Sequence, residues 1–353
     1  MSSPGNLSST HHAERVSGAG ERALIERIRR RVPPAPRELL VGIGDDAAVA
    51  VPDRGALQVL TTDALVEGVH FDRRFSTPAD IGYKALAVNV SDVAAMGGAP
   101  SLALLSLMLP ADTTLDEVDG LLDGLLDLAS ATRVSLAGGN ITRSPGPLVI
   151  DVTVIGSVKP RKVLTRGGGR AGDLLYVTGY PGAAAAGLGW LRRQTLPDDR
   201  SVLTRPAHPA LAECVARYCR PEPRARIGAL LGRNRAASAC MDLSDGLADA
   251  VAQISAACGT GAAIEGSLIP VHPGAQAWFT ETGEDPVAAC VAGGDDYELL
   301  FAVPRRTRSR LRTVLQEARG VPITRIGELT KDPAIGLARA GHLEPLPSGF
   351  VHF

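Results

Sequence analysis

The chain predicts an α/β (α+β) fold in two halves, and three observations carry that expectation. Short apolar runs rich in Val, Leu and Ile alternate with longer stretches of helical periodicity. The alternation breaks at Lys159-Pro160-Arg161-Lys162 and then starts again. Acidic clusters punctuate both halves: Gly44-Asp45-Asp46, Thr62-Asp63, Ser91-Asp92, Asp242-Leu243-Ser244-Asp245 and Gly293-Gly294-Asp295-Asp296. The expected organisation is a polar, disordered tail over 1–20, a first domain over 21–160 and a second over 161–353.

The elements follow in order. Leu24, Ile25 and Ile28 on one face predict a short helix from Glu21 to Arg31, which Pro33-Pro34-Ala35-Pro36 stops. Leu39-Leu40-Val41 reads as a strand feeding the Gly42-to-Asp46 turn, and Leu57 to Thr61 as a strand ending at Thr62-Asp63. A helix is predicted from about Pro78 to Met96, with Gly97-Gly98 as its stop. Ala85, Val88, Asn89 and Asp92 share one face of it, so Asp92 stands among packing residues. Leu102 to Leu109 predicts a buried strand, Leu115 to Ala131 an apolar helix, and Leu148 to Val158 a long β run. Leu136-Ala137 leads into Gly138-Gly139-Asn140. The second half offers a strand from Leu174 to Thr178, an alanine-rich helix, a helix starting near Asp245 and a strand from Leu299 to Val303.

Length and composition narrow the function. The chain has 353 residues, enough for two domains, with 45% hydrophobic and 21% charged residues. Aromatics are 4% and the net charge is −1, against a nucleic-acid surface built on stacking or phosphate neutralisation. No stretch approaches a spanning helix, and the first residues lack an apolar signal region. The five cysteines form no C-x-x-C pair and fit reduced thiols in a cytoplasmic protein.

Carboxylates gathered from distant segments repel in a low-dielectric site, so such a site holds cations. Oxygen ligands suit Mg²⁺, and Mg²⁺ on a few carboxylates implies bound phosphates. The residues thus point to a magnesium-dependent, nucleotide-using enzyme, with phosphoryl transfer leading. Each Asp-Gly pair alone is an ordinary turn; the inference rests on the set, because each lies where an apolar run ends. There is no P-loop and no kinase H-R-D and D-F-G set. Gly167-Gly168-Gly169 reads either as a phosphate cradle or as a surface loop, and His70 either as a partly buried histidine or as a substrate contact. No Ser/His/Asp or Cys/His arrangement for nucleophilic catalysis is legible.

Seven ordered segments carry a resemblance: GIGDDAAV (42–49), TTDALVEGVHF (61–71), YKALAVNVSDVAAMGGAP (83–100), AGGNITR (137–143), VLTRGGGRAGD (163–173), MDLSDGLADA (241–250) and GGDDYELLF (293–301). Together they resemble the thiamine-monophosphate kinase family of the aminoimidazole-ribonucleotide-synthetase superfamily. The resemblance implies an N-terminal domain that dimerises through its sheet, a C-terminal α/β domain packed against it, and ATP-dependent conversion of thiamine phosphate to thiamine diphosphate. It implies Mg²⁺ at Asp46, Thr61, Thr62, Asp63, Asp92, Asp242 and Asp245, ATP at Gly139, Arg166 and Ser244, and substrate at His70 and Asp295. Asp46, Asp63, Asp92, Asp245 and Arg166 form the catalytic set.

Three positions depart from the family pattern. Asn140 replaces an aspartate at a metal- and nucleotide-binding position, so it would hold the ion with less charge. Asp295 replaces a longer glutamate. Pro347 stands where some members place an aromatic on the substrate, leaving Phe350 or Phe353 to meet it. Other superfamily activities stay open, aminoimidazole-ribonucleotide synthetase among them; selenophosphate synthetase needs an N-terminal reactive cysteine, and none precedes Cys214. A nucleotide sensor without turnover is the alternative from another class.

Overall fold

A computed structural model describes residues 14–194 and 206–349. The first half contains α1 (Val16–Ala19), α2 (Glu21–Arg31), β1 (Leu39–Val41), β2 (Val49–Ala50), β3 (Leu57–Val66), α3 (Pro78–Ala95), β4 (Ala99–Leu109), α4 (Leu115–Thr132), β5 (Ser135–Arg143) and β6 (Val149–Val158). The second contains β7 (Leu174–Thr178), α5 (Ala183–Arg193), α6 (Pro209–Cys219), α7 (Ala225–Asn234), β8 (Ala239–Asp242), α8 (Leu247–Cys258), β9 (Gly261–Glu265), α9 (Pro273–Glu281), α10 (Pro286–Ala292), β10 (Leu299–Val303), α11 (Arg308–Glu317), β11 (Ile323–Thr330), β12 (Ile335–Arg339) and β13 (His342–Pro345).

The first half is built on a four-stranded sheet of order β3-β6-β4-β5, with β4 and β5 parallel and the other pairs antiparallel. Helices α3 and α4 pack as a pair, with α3 against β3 and β6. Both begin with capping boxes, Thr77 with Asp80 and Thr114 with Glu117, which satisfy the first free N–H groups. The helices cross at backbone contact: a Cβ on Gly82 would lie 1.8 Å from the Leu121 carbonyl oxygen, and one on Gly124 1.7 Å from that of Ala79. Helix α3 is buried almost all round because it also meets α7 and β8 of the second half.

The second half carries a seven-stranded sheet of order β13-β12-β9-β11-β7-β10-β8. Every residue of β7 and β10 is buried, as expected for central strands covered on both faces. One apolar cluster, including Leu175, Met241, Leu300 and Ile254, fills one face. Another, including Tyr176, Phe301, Leu231 and Val314, fills the other.

Two expectations change. Within the tail expected over 1–20, the described residues 14–20 are packed against the fold: Val16 is buried and its N–H donates to the Thr113 carbonyl. Residues 1–13 lie outside the described residues. Strand β3 runs on past Thr62-Asp63 to Val66, because β6 offers partners along its whole length. Gly138-Gly139-Asn140 lies within strand β5, held in parallel register against Leu104, Leu105 and Ser106. Among the described residues no helix is long and apolar enough to cross a membrane.

Candidate active site

The two halves meet around a cavity of about 450 Å³. Period-two alternation in β3 turns Thr61 and Asp63 toward α3, while Leu60 and Thr62 face the other side of the sheet. Asp92 comes from the last turns of α3, and the Thr61 hydroxyl donates to its Oδ2 at 2.5 Å. Asp242 ends β8, and Ser244-Asp245 form the turn into α8. Asp63, His70, Asp92, Arg166, Asp242, Ser244, Asp245 and Asp295 all line this one cavity. It therefore gathers most of the residues singled out in the sequence.

The turn after β8 and the segment before β10 lock together through their backbones. Asp295 N–H donates to the Ser244 carbonyl at 2.7 Å, and Tyr297 N–H to that of Leu243 at 2.9 Å. Gly246 caps α8 at φ +102°, and a Cβ there would sit 2.8 Å from the carbonyl oxygens of both Ala292 and Gly293. Asp295 and Tyr297 adopt left-handed φ of 67° and 52°, which side-chain-bearing residues hold only when their surroundings enforce it. The Asp295-Asp296 pair divides its labour. Asp295 faces the cavity, whereas buried Asp296 accepts the Gly182 and Ala184 N–H groups at 2.5 and 2.9 Å and caps α5.

Like charges crowd one another at Asp63, Asp92 and Asp242. Burial, followed by the charges of Asp92 and Asp242 and a hydrogen bond to Asp92, raises Asp63 to about 7. Burial and Asp92 likewise raise Asp242 to about 7, although the Ser91 hydroxyl opposes this by donating to it at 2.7 Å. The cationic side chains lining the cavity are Arg166, which donates to Gln253 at 2.5 Å, and Arg192. Among the described residues no three Asp, Glu, His or Cys side chains stand close enough to hold a metal ion as placed. Mg²⁺ does not need such a cage, because it binds through one or two carboxylates, waters and substrate phosphates. The all-oxygen donor set and the mutual repulsion of Asp63, Asp92 and Asp242 fit that ion.

Other expected residues lie elsewhere. Asp46 sits in an exposed turn, and Thr62 hydrogen-bonds Asp151 and Thr153 on the sheet's far face. Gly139 and Asn140 are in β5 and do not line the cavity; Asn140 pairs in register with Ser106, which in turn faces Asp151 of β6. Phe350 and Phe353 lie outside the described residues. The Gly167-to-Gly169 run packs as a loop, with Gly169 N–H donating to Cys258 Sγ at 3.2 Å.

Tyr218, Arg192 and Leu188 also line the cavity, and sequence reasoning did not find them. Helices α5 and α6 supply them, and neither helix carries a motif. Folding also assembles a Cys/His arrangement that was not legible in the sequence: Cys214 Sγ lies 3.3 Å from His272 Nδ1, and His272 Nε2 3.0 Å from Glu213. Cys214 is wholly buried, and burial pushes its thiol up to about 12, so this trio is packing rather than a nucleophile.

The profile of the AIR synthase related protein N-terminal domain matches residues 44–158, and that of the C-terminal domain matches residues 170–339. The thiamine-monophosphate kinase of Escherichia coli (strain K12) is 38% identical over 338 residues, covering 95% of this chain and 98% of the relative. The crystal structure of thiamine-monophosphate kinase from Stenotrophomonas maltophilia K279a superposes with a TM-score of 0.80 at 34% identity, covering 91% of this chain and 96% of that one. AaThiL, complexed with AMPPCP and TMP, superposes with a TM-score of 0.74 at 30% identity, covering 97% of this chain and all of that one. This chain, with its cavity of carboxylates between two AIR synthase related domains, belongs to the thiamine-monophosphate kinase family.

Proposed function

We propose that the protein phosphorylates thiamine phosphate to thiamine diphosphate with ATP, by direct in-line transfer. A terminal phosphate oxygen of thiamine phosphate attacks the γ-phosphorus, forming the new P–O bond as the bond to the β-phosphate oxygen breaks, and ADP leaves. The observation that carries this reading is the convergence of Asp63, Asp92, Asp242 and Asp245 with Arg166, His70 and Asp295 on one cavity in a member of this family. A relative holding an ATP analogue together with TMP supports the substrate pair.

The nucleophile is already an anion, so no general base is required; the barrier lies in charge repulsion and alignment. Asp63, Asp92, Asp242 and Asp245 would hold Mg²⁺, which when bound neutralises phosphate charge and lowers that repulsion. Thr61 and Ser91 orient Asp92 and Asp242 by donating to them. Arg166, its guanidinium steadied by Gln253, meets phosphate oxygens, and His70 and Asp295 receive the rest of the substrate. The Val66 N–H donates to His70 Nδ1 at 3.0 Å and so orients the ring.

The reading carries a domain assignment, residues 21–160 for ATP, Mg²⁺ and dimerisation and 161–353 for the C-terminal domain, in a cytoplasmic enzyme of small substrates. The far face of the four-stranded sheet, with Leu60 66% exposed and Leu104, Met108 and Ile155 partly so, suits a second copy of the chain. Thr62 and Asn140 lie on that face, so their share in nucleotide or ion binding, and that of Asp46 and Gly139, is assigned to the dimer.

Phosphorus NMR of the purified protein with ATP, Mg²⁺ and thiamine phosphate tests the reaction. Thiamine diphosphate and ADP should appear together. ADP release only with another phosphorylated acceptor, or no turnover at all, overturns the substrate assignment.

A further inference from the structure

Helix α3 carries one lysine among residues that are mostly apolar and mostly buried. Lys84 is 2% exposed, yet an ammonium group taken out of water must find partners or be expelled. It finds three, on three different segments. Its Nζ lies 3.0 Å from Asp295 Oδ1, donates to the His70 carbonyl at 3.2 Å, and sits 4.2 Å from the centroid of the Tyr218 ring. All three partner residues line the cavity, whereas Lys84 stands behind its wall. The ammonium thus joins the turn after β3, helix α6 and the segment before β10 at one point.

The two oxygens of Asp295 are consequently unequal. Oδ1 takes both Lys84 and the Tyr297 hydroxyl, the latter at 3.3 Å. No described residue is bonded to Oδ2, and Asp295 lines the cavity with about a third of its side chain exposed. A carboxylate with its own buried cation also differs from Asp63, Asp92 and Asp242, whose charges face one another. Lys84 thereby separates Asp295 from the ion-binding set and leaves it one oxygen for a ligand's N–H or cationic ring, as the aminopyrimidine and thiazolium of thiamine phosphate would supply.

We propose that Lys84 is a positioning residue for thiamine-phosphate recognition, fixing Asp295 so that Oδ2 meets the substrate. This rests on the kinase reading above and names a residue that sets the specificity of the same site. Lys84 acts through Asp295 and touches no reacting atom.

The test compares K84M, K84R, D295N and K84M/D295N with wild type by steady-state kinetics and thermal unfolding. K84M should raise KM for thiamine phosphate about tenfold or more, the loss expected for one charged hydrogen bond. KM for ATP and the Mg²⁺ requirement should stay within about twofold, because that machinery lies with other carboxylates. K84M/D295N should be no worse than D295N in KM for thiamine phosphate, and K84R should recover part of the loss. Equal rises in both KM values, or independent effects in the double variant, overturn the proposal, as does a fall in Tm with kinetics unchanged. If K84M does not fold, K84R and D295N decide: K84R must raise KM for thiamine phosphate selectively and lose that effect in the D295N background. Wild-type protein that makes no thiamine diphosphate sinks the kinase reading itself; wild-type turnover with an unchanged KM in K84M sinks only the role of Lys84.

Discussion

Ser91 and Asp242 stand 151 positions apart in sequence, yet the Ser91 hydroxyl donates to Asp242 Oδ2 at 2.7 Å. Both are buried, one on helix α3 and the other at the end of strand β8. This contact, with Lys84–Asp295 and the 2.6 Å pair of Arg220 with Asp80, is where the two halves become one site.

The buried Asp242 carboxyl makes stability depend on pH. Its folded value is raised from 3.8 to about 7, so the folded state keeps a proton that the unfolded chain has released. The stability this provides is complete below about pH 4 and is lost as pH rises toward 7, at about 1.4 kcal/mol per pH unit for one such group. Metal-free wild type should lose Tm over that range, and D242N, which keeps a partner for Ser91, should lose less. Mg²⁺ with ATP should restore wild-type Tm at pH 7 far more than that of D242N. Parallel pH profiles for the two proteins in calorimetry would reject this account of the carboxylate cluster.

Beyond burial, the Asp92 charge raises both Asp63 and Asp242, so it stands at the centre of the cavity's carboxylates. D92N should lower kcat by about a hundredfold or more, the scale seen when one electrostatic group of a polar-transition-state site is removed. Circular dichroism should be unchanged. Turnover within a few-fold of wild type removes Asp92 from the catalytic machinery.

Gly246 tests the coupling between the α8 turn and the Asp295 segment. An added Cβ meets strain at φ +102° and two carbonyl oxygens at 2.8 Å. G246A should destabilise the fold by about 1–3 kcal/mol in denaturant titration and raise KM for thiamine phosphate, because Asp295 must move with its neighbours. A stable variant with normal KM would show that these loops are independent.

Leu60 probes the far face of the four-stranded sheet. L60K places a charge where the proposed second copy packs, and sedimentation should shift from dimer toward monomer at equal concentration. KM for ATP should rise with it, since Asn140 and Thr62 lie on that face. Unchanged sedimentation rules this face out as the interface.

Much of the site was legible before folding. Asp63, Asp92, Asp242, Asp245 and Asp295 stand out because carboxylates at the ends of apolar runs contradict solvation, and the cavity gathers them; Asp46, read by the same argument, stands exposed outside it. Helix α2 and strands β7 and β10 match their expected bounds residue for residue, because local periodicity decides such elements. Facing was harder to read. Thr62 and Asp63 are adjacent in a strand, so the pleat sends one to each side of the sheet, and only pairing with β6 fixes which.

Sequence by itself determined the family, the two-halved α/β plan and the acidic character of the site, since these follow from motif order and hydrophobic pattern. Tertiary structure alone decided what each charge meets. Local sequence does not name the partners of Lys84 in α3, nor separate Asp296 from its neighbour Asp295. Burial and partners drawn from distant segments make one a buried latch, one a helix cap and one a carboxylate facing the cavity, because electrostatic energy depends on distance and dielectric, which the linear chain does not contain.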